Sequence, residues 1–302
     1  MKDFEYFTTE DGTLTLKSIQ HNELFHSQIG AIKETNLKFI NPSEIKSFNK
    51  NKINILDICF GLGYNSGCLY EELFQEGIKF NAYGLEITKE PLGMILKSDD
   101  YKDIWSDKTL NIIEEIYKNN ECKNDFFSTE ILWGDARKMI NIIPKDIRFD
   151  IMFLDAFSPQ SCPELWTVEF LSKLVNKMGI DGKIITYSSS AAVRKVFFNL
   201  NLEVNSIKPI CNRSSNWSNG TVAIRRSSSN TKQSVFYSPL SEMEKEHLFT
   251  KASIPYRDLN TKSTSEDIIH RRKEEQKVSD LESTSSWKRR WLKTNHNNLA
   301  RF

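Results

Sequence analysis

Hydrophobic and polar positions alternate in short runs at the start of the chain. Glu5-Tyr6-Phe7-Thr8-Thr9 and Thr13-Leu14-Thr15-Leu16 flank an Asp11-Gly12 pair, a pattern that predicts a β-hairpin. Between about residues 27 and 40 the apolar positions Ile29, Ile32, Leu37 and Ile40 fall at mixed helical spacing, and Asn41-Pro42 predicts the stop of a short helix. From residue 53 the rhythm becomes buried strand followed by helix. Ile53-Asn54-Ile55-Leu56-Asp57-Ile58-Cys59 leads through a glycine turn to a helix over 65–75, and Phe80-Asn81-Ala82-Tyr83-Gly84-Leu85-Glu86-Ile87 follows. Arg148-Phe149-Asp150-Ile151-Met152-Phe153-Leu154-Asp155 and Gly182-Lys183-Ile184-Ile185-Thr186-Tyr187 repeat the plan, each with a helical pattern after it. Near-continuous apolar strands alternating with helices predict an α/β fold whose mainly parallel sheet is covered on both faces. The last two strands, over 202–207 and 220–224, have no helix between them and are expected to pair antiparallel.

These patterns divide the chain into an N-terminal hairpin and helix (1–50), an α/β domain (51–226) and a polar, partly helical extension (227–302) in which no strand pattern is seen. The 302 residues can bury a sizeable core, and 41 Lys+Arg against 40 Asp+Glu argue against a uniformly basic nucleic-acid coat. The charge is uneven, however: residues 261–302 carry ten Lys/Arg and six Asp/Glu, a net +4 that leaves −3 for the rest. With neither a basic-then-apolar start nor an apolar run of bilayer length, the expectation is a cytoplasmic protein with no membrane partner. The five cysteines are widely spaced with no C-x-x-C, so no disulfide framework and no metal site are expected.

Candidate chemistry lies at the strand ends. Asp57-Ile58-Cys59-Phe60-Gly61-Leu62-Gly63-Tyr64-Asn65-Ser66-Gly67 places two glycines between a buried strand and a helix, where a ligand can approach the backbone. Ser66 occupies the position where a dinucleotide fingerprint needs its third glycine, and no phosphate-cradling G-x-x-x-x-G-K-[ST] is present. Glu86 ends the second strand at the distance expected of an acid that holds ribose hydroxyls; it reads equally as a solvated strand-end glutamate. Asp135 in Trp133-Gly134-Asp135-Ala136 suits either an acceptor for the adenine amino group or a helix N-cap, two compatible roles. Asp155 ends a central strand, in the crevice where open α/β sheets bind ligands, and its loop carries Phe157, Pro159 and Trp166. These three read as walls for a planar base, or, for Trp166, as core.

Taken together, Phe60-Gly61-Leu62-Gly63-Tyr64-Asn65, Trp133-Gly134-Asp135 and Leu154-Asp155-Ala156-Phe157-Ser158-Pro159 with Pro163-Glu164-Leu165-Trp166-Thr167 resemble the methyltransferase half of the MnmC family of tRNA 5-methylaminomethyluridine biosynthesis proteins. Leu24-Phe25-His26-Ser27-Gln28-Ile29-Gly30-Ala31 and Glu34 are similar to the family's segment before the first strand, so the resemblance covers about residues 8–225. It implies a Rossmann-like class I methyltransferase that moves a methyl group from S-adenosyl-L-methionine to the aminomethyl nitrogen of a wobble uridine, with the tRNA anticodon region as partner. In that frame Gly61 and Gly63 pass the methionine and ribose portions, Phe60 and Asn65 also belong to the cofactor site, Glu86 takes the ribose hydroxyls, Asp135 lies near adenine, and Asp155 stands at the transfer point. A terminal antiparallel hairpin is a feature of such folds. Ala156 and Ser158 depart mildly from the Gly and Ala frequent in bifunctional members, whose flavin-dependent oxidase domain is not expected in residues 227–302. A spermidine-synthase-like amine transferase and a non-catalytic RNA- or partner-binding module are the alternatives. The basic tail, with Trp287-Lys288-Arg289-Arg290-Trp291-Leu292-Lys293, reads as an RNA contact or as a solvated helix.

Overall fold

A computed structural model describes residues 3–48, 50–209, 218–227 and 233–299, with residues 292–299 described by backbone alone. The opening alternation folds as expected: β1 (Phe4–Thr8) pairs antiparallel with β2 (Leu14–Ser18), and a short β3 (Glu23–Leu24) joins β2. Asp11 fixes the turn by accepting hydrogen bonds from the hydroxyls of Thr9 and Thr13 at 2.8 and 2.6 Å. The helix that follows runs on past its predicted stop. Ala31–Thr35 continues as a π-turn, Asn36–Ile40, and then as a further turn, Asn41–Ser43. Pro42 follows directly on the π-turn, and the chain turns out only at Glu44 with φ of 52°.

The strand–helix repeat builds a single large sheet from β4 (Lys52–Ile58), β5 (Lys79–Glu86), β6 (Glu121–Lys123), β7 (Phe127–Trp133), β8 (Phe149–Leu154), β9 (Met178–Thr186), β10 (Glu203–Ile207), β11 (Thr221–Ile224) and β12 (Tyr237–Pro239). Their order is β12-β10-β11-β9-β8-β4-β5-β7-β6. Neighbours from β9 to β7 are parallel, and β11 lies antiparallel between β9 and β10, as the absence of a crossover helix requires. The side-chain period of two divides each strand between two cores. Ile53 and Ile55 of β4 with Ile151 and Phe153 of β8 pack under the helices Tyr64–Gln75 and Asp107–Asn119. Leu56, Ile58, Met152 and Leu154 face the helices Val168–Asn176 and Ala191–Asn199 on the other side.

The extension departs from its reading as strand-free. β12 adds to the free edge of β10, and the helices Glu242–His247, Ser265–Val278 and Thr284–Leu299 pack back on the body. Ile268 joins the second core, and a buried Arg194–Glu244 ion pair at 2.9 Å ties Glu242–His247 to Ala191–Asn199. None of the helices among the described residues is long and apolar enough to cross a membrane. The polar loop containing Asn212 to Trp217 and most of the serine-rich linker lie outside the described residues.

Candidate active site

The carboxyl ends of β4, β5, β7 and β8 open into one cavity of about 790 Å³, roofed by the N-terminal hairpin and its following loop. Between β4 and the helix Tyr64–Gln75 the backbone turns through three left-handed residues, Cys59 (φ 65°), Gly61 (φ 57°) and Gly63 (φ 81°). Cys59 and Gly61 line the cavity. Gly63 lies one layer deeper, where an added Cβ would stand 2.9 Å from the Phe60 ring. Phe60 itself points into the core against Gly63 and Gly84, so it supports the turn from beneath and does not line the cavity.

Glu86 closes this turn. Its Oε2 accepts the Gly61 N–H at 2.9 Å, and its Oε1 accepts the N–H groups of Ile87 and Thr88 at 2.7 and 3.3 Å. Burial raises its pKa despite those three donors. Oε2 keeps a lone pair for a further donor on the cavity side, whereas Oε1 already takes two N–H groups.

Asp155 follows β8 and is half-buried on the cavity floor. Asn65, the second residue of the helix after the turn, donates to its Oδ2 at 2.8 Å and is itself held by the Thr35 hydroxyl at 3.0 Å. Asn65 is buried and acts on the cavity through Asp155. Burial and the neighbouring Glu34 carboxylate push the Asp155 pKa up to about 7, while the Asn65 hydrogen bond and Lys38 pull against them. Beneath lies Asp57, fully buried, with Oδ2 accepting from the Ser66 hydroxyl at 2.7 Å and a pKa pushed up to about 8, mainly by burial.

Asp135 caps the short helix Ala136–Met139 and lines the cavity with Gly134 and Ala136. It takes the Arg137 backbone N–H at 2.9 Å, and Arg137 Nε and Nη2 fork onto its two oxygens at 3.1 and 2.8 Å. Burial would raise its pKa, but these donors hold it below the usual aspartate value. Trp133 turns away from the cavity and donates its indole N–H to Asn120 at 2.9 Å.

The loop after Asp155 differs from its reading as three walls. Phe157 lines the cavity, stacked on His21 with ring centroids 4.6 Å apart and edge-on to Phe25 at 5.3 Å. Pro159 lies off the cavity. Trp166 is fully buried, and its indole N–H donates to the Phe157 carbonyl at 2.8 Å, so it braces the wall from behind. Thr167 caps the next helix by accepting from the Phe170 N–H at 3.3 Å. The Trp-Thr pair is thus a structural device that fixes the loop's path.

The opposite wall went unread as a site from residue types alone. Glu23 of β3 clamps the loop by accepting from the Ser158 N–H and hydroxyl at 3.0 and 2.6 Å and from the Ser161 hydroxyl. Phe25, His26, Glu34, Lys38 and Tyr187 also line the cavity. His26 is buried against the Thr15 hydroxyl, and burial drops its pKa to about 4, so it is neutral. Glu34 and Lys38 form an ion pair one helical turn apart. The segment from Leu24 to Ala31 was the signal for this wall, through the resemblance; Cys59 at a left-handed position had none.

Part of the basic tail packs on the body. Trp287 is fully buried and stacked on His247 at 4.4 Å; Trp291 donates to Glu246 at 2.9 Å; Arg290 pairs with both Glu246 and Glu282. Lys288 and Arg289 remain exposed.

This architecture matches known proteins. A family model described as S-adenosyl-L-methionine-dependent methyltransferase matches residues 99–220. The crystal structure of MnmC2 from Aquifex aeolicus superposes with a TM-score of 0.73 at 30% identity, covering 90% of this chain and 84% of that one. An uncharacterized protein of Methanocaldococcus jannaschii is 36% identical over 192 residues, 62% of this chain and 51% of its own length. The tRNA 5-methylaminomethyl-2-thiouridine biosynthesis bifunctional protein MnmC of a Marinomonas species is 21% identical over 206 residues, 63% of this chain and 30% of the relative. The chain therefore spans about half the length of the first of these relatives and under a third of the second. The shared fold, the matched family model and the 30% identity over 84% of the MnmC2 chain show that the chain belongs to the S-adenosyl-L-methionine-dependent methyltransferase family to which that protein belongs.

Proposed function

We propose that this protein methylates the aminomethyl nitrogen of 5-aminomethyl-2-thiouridine at the wobble position of tRNA, giving the 5-methylaminomethyl product. The observation that carries the reading is Asp155, held by Asn65 on the floor of the same cavity that Gly61, Glu86 and Asp135 line, in a chain 30% identical to MnmC2. The residues fit the cofactor. Gly61 forms a cradle that a Cβ would begin to fill, 3.3 Å from the Phe25 ring; Glu86 offers an oriented acceptor at Oε2 for a ribose hydroxyl; Asp135 offers an acceptor in a cavity that apolar Ala136 and Ile87 also line. Bound there, S-adenosyl-L-methionine supplies an electrophilic methyl group on a sulfonium, and the other demands fall on the protein.

Attack needs a neutral amine aligned with the methyl carbon, since proximity and orientation carry most of such a displacement. A nitrogen–carbon bond forms as the carbon–sulfur bond breaks, and the amine gives up a proton. Asp155, with a pKa near that of neutral solution, is placed to orient the amine and receive that proton. Phe157 and Tyr187 present aromatic surface to a base splayed out of the anticodon loop. Tyr187 donates to the Ala156 carbonyl at 2.9 Å and so stiffens the floor next to Asp155. Exposed Lys288 and Arg289 are available to the tRNA backbone, and a tRNA substrate fits work in the cytoplasm.

The test is to incubate the full chain with labelled S-adenosyl-L-methionine and either tRNA bearing 5-aminomethyl-2-thiouridine or polyamines, then to digest and identify the labelled species by mass spectrometry. Label in 5-methylaminomethyl-2-thiouridine supports the reading; label only in polyamines, or none, overturns it.

A further inference from the structure

We propose that the C-terminal segment 258–265 completes the adenine end of the cofactor cavity, with Asp258 acting as a positioning residue for Asp135 through Arg137. The inference rests on the assignment of the cavity to S-adenosyl-L-methionine and goes on to say what part of the extension serves it.

Asp258 is fully buried, and its two carboxylate oxygens divide between the local turn and Arg137. Its Oδ1 accepts the N–H groups of Lys262 and Ser263 at 3.1 and 3.0 Å, while its Oδ2 accepts from Arg137 Nη1 at 2.8 Å. The same Nη1 donates to the Ser263 carbonyl at 3.1 Å. Arg137 spends its remaining fork on Asp135, so one guanidinium joins a cavity carboxylate to a carboxylate that lies 121 positions beyond Arg137 in the chain. The segment is itself anchored. The Tyr256 carbonyl accepts from Val168 N–H at 3.0 Å, the Asp258 N–H donates to Glu169 at 2.7 Å, and Arg272 stacks on Tyr256 at 4.4 Å. Ser265 reaches the cavity wall, where its hydroxyl donates to Glu164, another wall residue.

The charges explain why such a link matters to a neutral base. Arg137 alone beside Asp135 would leave a cavity-facing cation free to swing between partners. Asp258 and the Ser263 carbonyl hold Nη1 while Nε and Nη2 face Asp135, which fixes the orientation of the Asp135 oxygens. A carboxylate oriented in this way accepts from an adenine amino group and repels the carbonyl that hypoxanthine carries in its place. Asp258 therefore governs selectivity between the two bases as well as affinity.

The experiment uses the full chain and titration calorimetry with S-adenosylhomocysteine and S-inosylhomocysteine, in the wild type, in Asp258→Ala and in Asp258→Asn. The wild type is expected to prefer the adenine ligand by about tenfold or more, the scale of a hydrogen bond to a charged group. Asp258→Ala is expected to bring that preference to within about threefold. Asp258→Asn keeps an acceptor for the Lys262 and Ser263 amides and so retains the turn that alanine loosens. It is expected to lose part of the preference, with an unchanged far-ultraviolet spectrum. Variants that weaken both ligands by one common factor, or neither, overturn the proposal. A wild type that binds neither ligand overturns the cofactor assignment itself.

Discussion

Asn65 holds Asp155: its amide donates to Oδ2 of the aspartate at 2.8 Å, and Thr35 fixes the amide from the other side. The bond runs from the first turn of the helix after the glycine turn to the end of β8, so the part of the site expected to hold cofactor and the part expected to hold acceptor are set by one contact. It also selects a charge state, because a donor to a carboxylate favours the ionised form against burial.

Asp155→Ala is expected to lower turnover by about 10² to 10⁴-fold, the usual range for a general base. S-adenosylhomocysteine affinity should change far less, because the group acts on the acceptor. Labelled methyl transfer to tRNA measures the first and calorimetry the second; unchanged turnover would remove Asp155 from the mechanism.

The rate is expected to rise as pH passes through about 7, where Asp155 loses its proton. Asn65→Ala removes a donor to the carboxylate and should move the rise to higher pH. Glu34→Gln removes a neighbouring negative charge and should move it lower. Opposite displacements in the kcat profile are a signature that general loss of folding does not produce.

Asp57 makes stability depend on pH in a defined sense. Its folded pKa of about 8 stands above the ordinary aspartate value of 3.8, so the folded state keeps a proton that the unfolded chain releases. Its contribution is full below about pH 4 and is lost as pH rises through about 8. Thermal melts across that window should show a falling midpoint in the wild type and a flatter profile in Asp57→Asn.

Trp287→Ala is expected to cost about 3–5 kcal/mol in urea unfolding, as for other buried tryptophans. The salt dependence of tRNA binding should not change, since the ring is buried against His247 and is not free to stack on a base. A weaker salt slope with unaltered stability would return Trp287 to the RNA surface.

Gly63→Ala places a Cβ 2.9 Å from the Phe60 ring on a backbone at φ 81°. Strain of about 1–3 kcal/mol is expected, together with weaker cofactor binding as the turn shifts. Calorimetry beside a melting curve separates the two effects.

Hydrophobic periodicity and strand-end residues alone specify the sheet and its loaded ends. Runs such as Phe149-Asp150-Ile151-Met152-Phe153-Leu154 have apolar side chains on both faces and are stable only when both are covered, which dictates helices on either side. Glycines at a strand–helix turn and acids at strand ends are local signals, and Gly61, Glu86, Asp135 and Asp155 do share one cavity. Which aromatics face that cavity was a different matter. Composition cannot distinguish Phe157 on the wall from Trp166 behind it, because the choice depends on a loop path set by Glu23, far earlier in the chain. In the same way the run Trp287 to Lys293 reads from sequence as an RNA contact or a solvated helix, and only tertiary contacts commit Trp287 to His247 and Arg290 to Glu246 and Glu282 while Lys288 and Arg289 stay exposed. The link from Asp135 through Arg137 to Asp258 has no sequence pattern at all, since a buried ion pair between distant segments has neither period nor spacing and exists only once the chain has folded.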